Sequence, residues 1–153
     1  PETVLAPAEE ESIVGVKEAS GDVEQVMTLL RARPEGFSVL SGEDSLTFPL
    51  MAAGADGVIS VVANEAPGPM ARMVEALLEG DFDQARELHY RLLPLMLANF
   101  VETNPVPVKA ALELMGRMKA RYRLPLVAAA PESESVLRGA LIEAGLLEAA
   151  AGG

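Results

Sequence analysis

Lys17 is the residue whose position in this sequence best suits covalent chemistry. It directly follows a short apolar run, residues 13–16, and precedes a stretch of small and polar residues, 18–22. An uncharged lysine amine can attack a ketone or aldehyde carbonyl and form an imine, which then acts as an electron sink. Burial in a low-dielectric interior favours the uncharged amine. We therefore interpret Lys17 as a candidate imine-forming lysine and expect it to be buried.

The same position also suits a lysine with no catalytic role. Its apolar stem could lie along the end of a strand while the ammonium group stays in water, paired with Glu18 or Asp22. One lysine at one strand end does not distinguish the two interpretations, and both remain open on this pattern alone.

Three apolar runs predict the elements that position Lys17. They occupy residues 13–16, 37–40 and 57–62, and helical patterns lie between them, the first with Asp22 as a candidate cap. Strands joined through helices pair in parallel, and parallel sheets are normally buried on both faces. The sequence thus predicts an α/β arrangement with Lys17 at the carboxyl end of a buried strand, where active sites of such folds form.

The ends of the other two predicted strands give weaker signals. Gly42, in the turn at residues 41–44, would let the backbone approach a ligand, whereas Ser41 and Asp44 are more typical of helix capping. Backbone groups of residues 57–60, which include Ile59, could line a pocket over the same edge of the sheet.

From about residue 65 onward the strand signals stop. Helical periodicity covers residues 70–78, 82–100, 106–118 and 132–147. We therefore divide the chain into an α/β part, 1–64, and a helical part, 65–153. The opening residues 1–5 resemble the first turn of a helix, so we expect the chain to begin inside a longer fold. A self-contained three-layer domain, with helices covering the sheet, is the alternative.

Composition argues against several classes of function. The net charge of −11 opposes nucleic acids and anionic lipid surfaces, and no apolar stretch has the length of a membrane span. We expect a cytoplasmic protein. Without cysteine and with one histidine, His89, we expect no metal site. His89 lies within a predicted helix, where a surface or partly packed role is the more common one.

Four segments in the same order and spacing resemble the dihydrodipicolinate synthase family, and the similarity covers nearly the whole chain. The segments are residues 13–22 (IVGVKEASGD), 40–44 (LSGED), 57–64 (GVISVVAN) and 104–109 (NPVPVK).

The resemblance implies a TIM (β/α)8 barrel, of which this chain supplies strands six to eight followed by a C-terminal helical extension. It implies that Lys17 forms a Schiff base with pyruvate, without any cofactor, and that the product of condensation with aspartate semialdehyde enters the diaminopimelate and lysine pathway. The family's pyruvate contact falls on Ile59, and a glycine that lines its pocket falls on Gly42.

The resemblance also implies partners. The family is commonly a homotetramer, and its weaker interface falls around Val23 and Ala53. Its carboxylate-binding motif, its relay tyrosine and its substrate arginine have no match here, and neither Tyr90 nor Tyr122 takes the relay position. We therefore expect the 153-residue chain to be inactive without a complementary N-terminal half of the barrel.

Two other functions remain as alternatives. A sister Schiff-base aldolase, such as an N-acetylneuraminate lyase or a 2-keto-3-deoxy sugar acid aldolase, would use the same lysine on longer substrates. In a non-catalytic helical module Lys17 would be solvated. Treatment with pyruvate and borohydride would then leave the mass of the protein unchanged.

Overall fold

The computed structural model describes residues 1–149. They form two compact units, which are described separately. The first comprises Pro1–Ser60 and Met73–Arg86, and the second comprises Val61–Arg72 with the described residues from Glu87 onward. The three strands lie in the first unit, and the second consists of helices and their connections. The division after residue 64 stays a prediction.

The sheet of the first unit contains three parallel strands, as predicted. They are β1 (Gly15–Glu18), β2 (Ser38–Ser41) and β3 (Gly57–Val58), in the order β1-β2-β3. Lys17 lies across from Leu40, and Leu40 lies across from Gly57. Helical crossovers connect the strands, which is why they run in one direction.

Three helices belong to the amino-terminal part of this unit: α1 (Glu2–Leu5), α2 (Val23–Ala32) and α3 (Thr47–Ala52). Asp22 caps α2, because its Oδ1 accepts a hydrogen bond from the Gln25 N–H at 3.0 Å. Val26 and Leu29 recur at helical spacing and are each 1% exposed, so this face of α2 is packed. Helix α3 contacts β2 and β3.

Two expectations about the strands are wrong. The third strand was expected over residues 57–62, but it ends at Val58, and Val62–Asn64 form a 3₁₀ helix that buries Val62. Strand β1 is not buried on both faces, since Lys17 within it is exposed and its other three residues are only half-buried. Ile13 and Val14, which were expected in this strand, precede it and are 38% and 72% exposed. Within the described residues β1 pairs with β2 alone, so one of its edges is open.

An ion pair joins the elements at the amino ends of β2 and β3. The Arg33 guanidinium donates to the Asp56 carboxylate and to the carbonyl oxygens of Phe37 and Gly54. Asp56 also accepts from the Val39 N–H at 2.8 Å. Burial by itself raises the pKa of Asp56. The hydrogen bonds from Arg33 and Val39 and the charge of Arg33 together outweigh that effect, so the pKa of Asp56 lies below its ordinary value.

The remaining helices are α4 (Pro67–Glu79), α5 (Phe82–Ala98), α6 (Val106–Leu114) and α7 (Pro131–Glu143). All four coincide with predicted helices, but α6 and α7 each end four residues before the predicted ends at residues 118 and 147. Helix α5 is capped by Asp81, whose Oδ1 accepts from the Gln84 N–H at 3.0 Å. Helices α6 and α7 pack against each other in the second unit. None of the helices among residues 1–149 combines the length and apolarity of a membrane span.

His89 is buried, which corrects the expectation of a surface or partly packed side chain. It is 7% exposed, while Leu92 and Met96 at helical spacing from it are fully buried. Position 89 therefore lies on the core face of α5. Burial lowers the pKa of His89, because desolvation disfavours the charged imidazole.

Polar contacts also tie the second unit together. Asn99 donates from Nδ2 to Oε2 of Glu65 at 2.7 Å, and both residues are 0% exposed. Arg91 of α5 donates to the carbonyl oxygen of Ala144 at 3.0 and 3.3 Å, which satisfies an acceptor at the C-terminal end of α7.

Candidate active site

The register of the sheet places the three predicted site residues on one of its faces. Lys17, Leu40 and Gly57 lie across from one another, and alternate residues of a strand share a face. Gly42 and Ile59, two positions beyond Leu40 and Gly57, therefore extend that face at its carboxyl end. The pairing continues there, since the Ile59 N–H donates to the Ser41 carbonyl oxygen at 2.8 Å.

The Lys17 side chain lies over Gly42. A Cβ at position 42 would be 2.8 Å from Cε of Lys17 and 3.0 Å from its Cγ. It would also be 2.6 Å from Cβ of Ala19. Real Cβ atoms essentially never approach other atoms this closely, so a side chain at position 42 would displace Lys17. Gly42 thus leaves the space through which Lys17 extends across the neighbouring strand.

The turn that follows β2 is held by its own hydroxyl groups. Ser41 is 1% exposed, and its Oγ accepts from the Glu43 N–H at 3.2 Å and donates to the Glu43 carbonyl oxygen at 2.8 Å. Thr47 donates to the same carbonyl at 3.1 Å. These contacts fix the backbone on both sides of Gly42. Neither Ser41 nor Asp44 takes the helix-capping position that the sequence favoured, since Glu43 precedes the 3₁₀ helix Asp44–Leu46 and Leu46 precedes α3. The Ser41 hydroxyl bonds to the backbone of its own turn instead.

The loop after Lys17 is also closed on itself. Glu18 accepts from the Ser20 N–H at 3.1 Å, and Ser20 accepts from the Asp22 N–H at 3.1 Å. Among residues 1–149 neither Glu18 nor Asp22 forms an ion pair with Lys17. The described structure therefore does not support the ion pair of the solvated-lysine interpretation.

The expectation that Lys17 is buried is nevertheless wrong for the described chain. Lys17 is exposed, and Ile59 is 48% exposed. The reason is the open edge of β1, beside which no further strand of the described residues covers the lysine. The direction of the Lys17 side chain and its burial must therefore be judged separately. The side chain extends toward the end of the neighbouring strand, as the imine chemistry needs, but solvent reaches it.

Ala19 is a site residue that the sequence argument missed. Its Cβ lies beside Lys17 at Gly42, although alanine carries no chemistry that would single it out. The signal that could have found it is spacing, because position 19 shares a face with position 17. No group of three or more His, Cys, Asp or Glu side chains in the described part of the chain is arranged to hold a metal ion.

Comparison with known proteins identifies the family. A model described as the Dihydrodipicolinate synthetase family matches residues 1–144. The 4-hydroxy-tetrahydrodipicolinate synthase of Chlorobium phaeobacteroides is 50% identical over 147 residues, which cover 95% of this chain and 50% of that protein.

Solved structures agree with this assignment. Dihydrodipicolinate synthase from Thermotoga maritima is 46% identical with a TM-score of 0.91, over 96% of this chain and 51% of that one. A chloride-inhibited dihydrodipicolinate synthase from Acinetobacter baumannii, solved in complex with pyruvate, is 40% identical with a TM-score of 0.91, over 95% and 50% of the two chains. The chain spans about half the length of the relatives it matches, and it belongs to the dihydrodipicolinate synthetase family.

Proposed function

We propose that Lys17 is the Schiff-base lysine of a 4-hydroxy-tetrahydrodipicolinate synthase, a lyase of diaminopimelate and lysine biosynthesis that condenses pyruvate with aspartate semialdehyde. The observation that carries this proposal is the course of the Lys17 side chain over Gly42, at the carboxyl end of a parallel sheet. The pyruvate complex of the Acinetobacter baumannii relative supports pyruvate as the first substrate.

The proposed chemistry needs no cofactor beyond the lysine itself. The uncharged Lys17 nitrogen attacks the keto carbon of pyruvate, and loss of water gives the imine. Removal of a methyl proton converts the protonated imine to an enamine. The enamine carbon forms a bond to the aldehyde carbon of aspartate semialdehyde, the aldehyde oxygen takes up a proton and becomes a hydroxyl group, and the lysine imine forms again. The amine of the second substrate then displaces Lys17 as the ring closes, which frees the lysine for another cycle.

Gly42 and Ile59 are the proposed substrate contacts on this chain. Gly42 presents backbone without a side chain next to Lys17, so a small ligand can approach the amine closely. Ile59 extends the same face one strand further and is half-exposed, as a residue that lines an open site would be.

We further propose that the three strands are strands six to eight of a (β/α)8 barrel, and that the half of the family's length not matched by this chain completes it. The open edge of β1 is a surface on which another parallel strand can pair. A closed barrel would also bury Lys17, which the chain by itself leaves exposed, and burial favours the uncharged amine that attacks the keto carbon.

The proposed assembly is a cytoplasmic homotetramer. Its weaker interface would use the exposed surface around Val23 and Ala53, where the half-exposed Met27 lies on α2. Sedimentation velocity of an enzyme that contains both halves tests this assembly directly. Met27→Glu should shift that enzyme to smaller species, because like charges would then face each other across a two-fold interface.

Borohydride trapping tests the role of Lys17. We define the joined polypeptide as these 153 residues fused to the half of the Chlorobium phaeobacteroides synthase that they do not match. Pyruvate and borohydride should add one reduced pyruvate-derived group to it, and peptide mapping should locate that group on Lys17. The Lys17→Ala variant should lose the adduct at this position.

Lys119→Ala is the matched control, since this exposed lysine lies outside the candidate site and its loss should leave the adduct unchanged. A folded joined polypeptide that gains no mass at Lys17 would overturn the proposal. Once trapping succeeds, a panel of aldehyde substrates separates the synthase from the sister aldolases. Turnover with sugar aldehydes but not with aspartate semialdehyde would identify the protein as one of the sister aldolases.

A further inference from the structure

Four basic side chains follow helix α6 in a chain that is otherwise strongly acidic. We call them the basic row: Arg117, Lys119, Arg121 and Arg123. All four are exposed, and no acidic residue lies among them between positions 117 and 123. The whole chain carries a formal net charge of −11. Charges more than about 8 Å away are largely screened at physiological ionic strength, so a nearby ligand meets the local positive charge of the row.

The segment that carries the basic row follows an extended course. No helix or strand covers residues 118–123, and from 119 to 123 exposed side chains alternate with half-buried ones. Alternate side chains of an extended chain share one side and lie about 6.6 Å apart, at roughly 3.3 Å per residue. Lys119, Arg121 and Arg123 therefore form a line, with Arg117 just before it, and do not converge on one point.

Contacts with α6 hold this segment in place. Lys109 of α6 donates from Nζ to the Arg121 carbonyl oxygen and lies over the Tyr122 ring, 5.1 Å from its centroid. The Tyr122 hydroxyl donates to the Val106 carbonyl oxygen at 3.5 Å. These anchors use the backbone of Arg121 and the ring of Tyr122, so they leave the cationic side chains exposed. A segment that is already ordered loses less conformational entropy when a ligand binds.

The chain itself does not neutralise the basic row. Within residues 1–149 no cation of the row lies in an ion pair, and the backbone groups of residues 118–120 make no hydrogen bond to other backbone groups. Carboxylates do lie near the half-buried side of the segment, since burial together with the charges of Glu113, Glu134 and Glu102 raises the pKa of Tyr122. The exposed side therefore keeps both its cations and its backbone groups open to a partner.

We propose that the basic row is a docking surface for an acidic segment of a partner protein, bound in an extended conformation beside residues 117–123. An extended peptide with carboxylates at alternate positions has the same repeat of about 6.6 Å, so each carboxylate can face one cation. The peptide backbone can pair with the groups of residues 118–120, as peptides do when they add to an exposed edge. This inference goes beyond the proposed function and does not depend on it.

The surroundings of the basic row favour a peptide over a single-stranded nucleic acid. Sites for single strands combine cations with aromatic rings on which bases stack. Tyr122 is the one aromatic residue between positions 101 and 130, and its ring is half-buried with Lys109 over it. Met118 is 38% exposed beside the cations and adds apolar surface that suits the side chains of a peptide.

Binding of synthetic peptides tests the inference. The probe is a fluorescein-labelled peptide of about twelve residues in which glutamate alternates with threonine, titrated against the 153-residue chain and the joined polypeptide. We expect both proteins to bind it, with affinity that falls at least several-fold between about 50 and about 300 mM salt. A peptide of the same composition with all its glutamates in one block should bind several-fold more weakly, because its carboxylates do not match alternate cations.

A pair of double variants separates the basic row from net charge. Lys119→Gln with Arg121→Gln should weaken binding of the alternating peptide by roughly threefold to thirtyfold, as expected for the loss of two exposed ion pairs. Arg72→Gln with Arg138→Gln is the matched control, since it removes the same charge from exposed positions outside the row and should keep the affinity. The Lys109 anchor uses the Arg121 carbonyl oxygen, so the denaturant midpoint should not change.

Several results would refute the docking surface. Absence of binding, equal binding of the block peptide, or an equal loss of affinity in both double variants would each do so. Binding to the 153-residue chain that is lost in the joined polypeptide would show that the row is covered in the complete enzyme. Tighter binding of single-stranded DNA of about twelve thymidines would assign the row to nucleic acid. Self-association that the row variant abolishes would identify a second copy as the occupant.

The outcome is independent of the proposed function. The row variant should keep pyruvate trapping at Lys17, because its substitutions lie outside the candidate site. Loss of trapping with peptide binding retained would reject the function and keep the docking surface, and successful trapping without peptide binding would do the reverse.

Discussion

At the residue scale, the lack of a side chain at Gly42 determines where the Lys17 side chain can lie. Gly42→Ala would place a Cβ at 2.6 to 3.0 Å from Ala19 and Lys17 atoms. We expect it to destabilise the chain by about 1–3 kcal/mol through overpacking. Pyruvate trapping in the joined polypeptide should slow by roughly tenfold to a hundredfold, because the amine is displaced from its attacking position. Mass spectrometry over a time course measures the trapping.

Gly139→Ala is the matched control for this substitution. A Cβ at position 139 meets nothing within 4 Å, and the residue lies inside α7. Alanine should stabilise the helix there by about 0.5–1 kcal/mol. Trapping should keep its rate. A Gly42→Ala protein that traps pyruvate as fast as this control would show that the space over Gly42 does not position Lys17.

His89 makes the stability of the chain depend on pH near neutrality. Burial lowers its pKa in the folded state, so the unfolded state binds the proton more readily. Stability is therefore complete above the unfolded value of about 6.5 and falls as the pH drops through it toward the lower folded value. Urea unfolding at several pH values between about 8 and 5.5 measures this slope.

The comparison for this prediction is His89→Gln, which cannot gain a proton. Its stability should change less over the same pH interval, whatever its absolute value. If both proteins lose stability in parallel, other groups dominate the slope and the buried imidazole is not its cause.

At the element scale, Asp22 fixes the start of α2 directly after the loop that carries Lys17. Asp22→Ala removes the acceptor for the Gln25 N–H and should cost about 1 kcal/mol of unfolding free energy. Asp22→Asn keeps a capping oxygen and should retain most of the stability. Denaturant midpoints measure both effects. Equal midpoints for the alanine variant and the unaltered chain would contradict the capping role.

The elements also show where local patterns mislead. Residues 57–62 are apolar and β-branched, as a buried strand would be, yet β3 stops at Val58. Val62 instead becomes the first residue of a 3₁₀ helix and is completely buried there. A short apolar run fits either arrangement, because the favourable free energy of burial comes from the apolar side chain and not from the backbone conformation.

At the scale of the whole molecule, an open sheet edge and an exposed lysine accompany a chain half as long as its relatives. We predict that the 153-residue chain alone does not turn over pyruvate and aspartate semialdehyde, whereas the joined polypeptide does. In the chain alone Lys17 is exposed, and the chain matches only half the length of its relatives, so the groups that would hold both substrates beside Lys17 are incomplete. A coupled assay of product formation measures this, and turnover by the purified chain alone would contradict it.

The sequence by itself determined the parallel strands, the helices and the family, and it placed Lys17, Gly42 and Ile59 at strand ends. Periodicity, caps such as Asp22 and four ordered motifs are local properties, so they can be recognised without coordinates. Tertiary structure alone decided that Lys17 crosses Gly42 beside Ala19, that Lys17 is exposed and that His89 is buried. Each of these depends on which distant segments pack against the residue, and burial is a property of that packing and not of residue type.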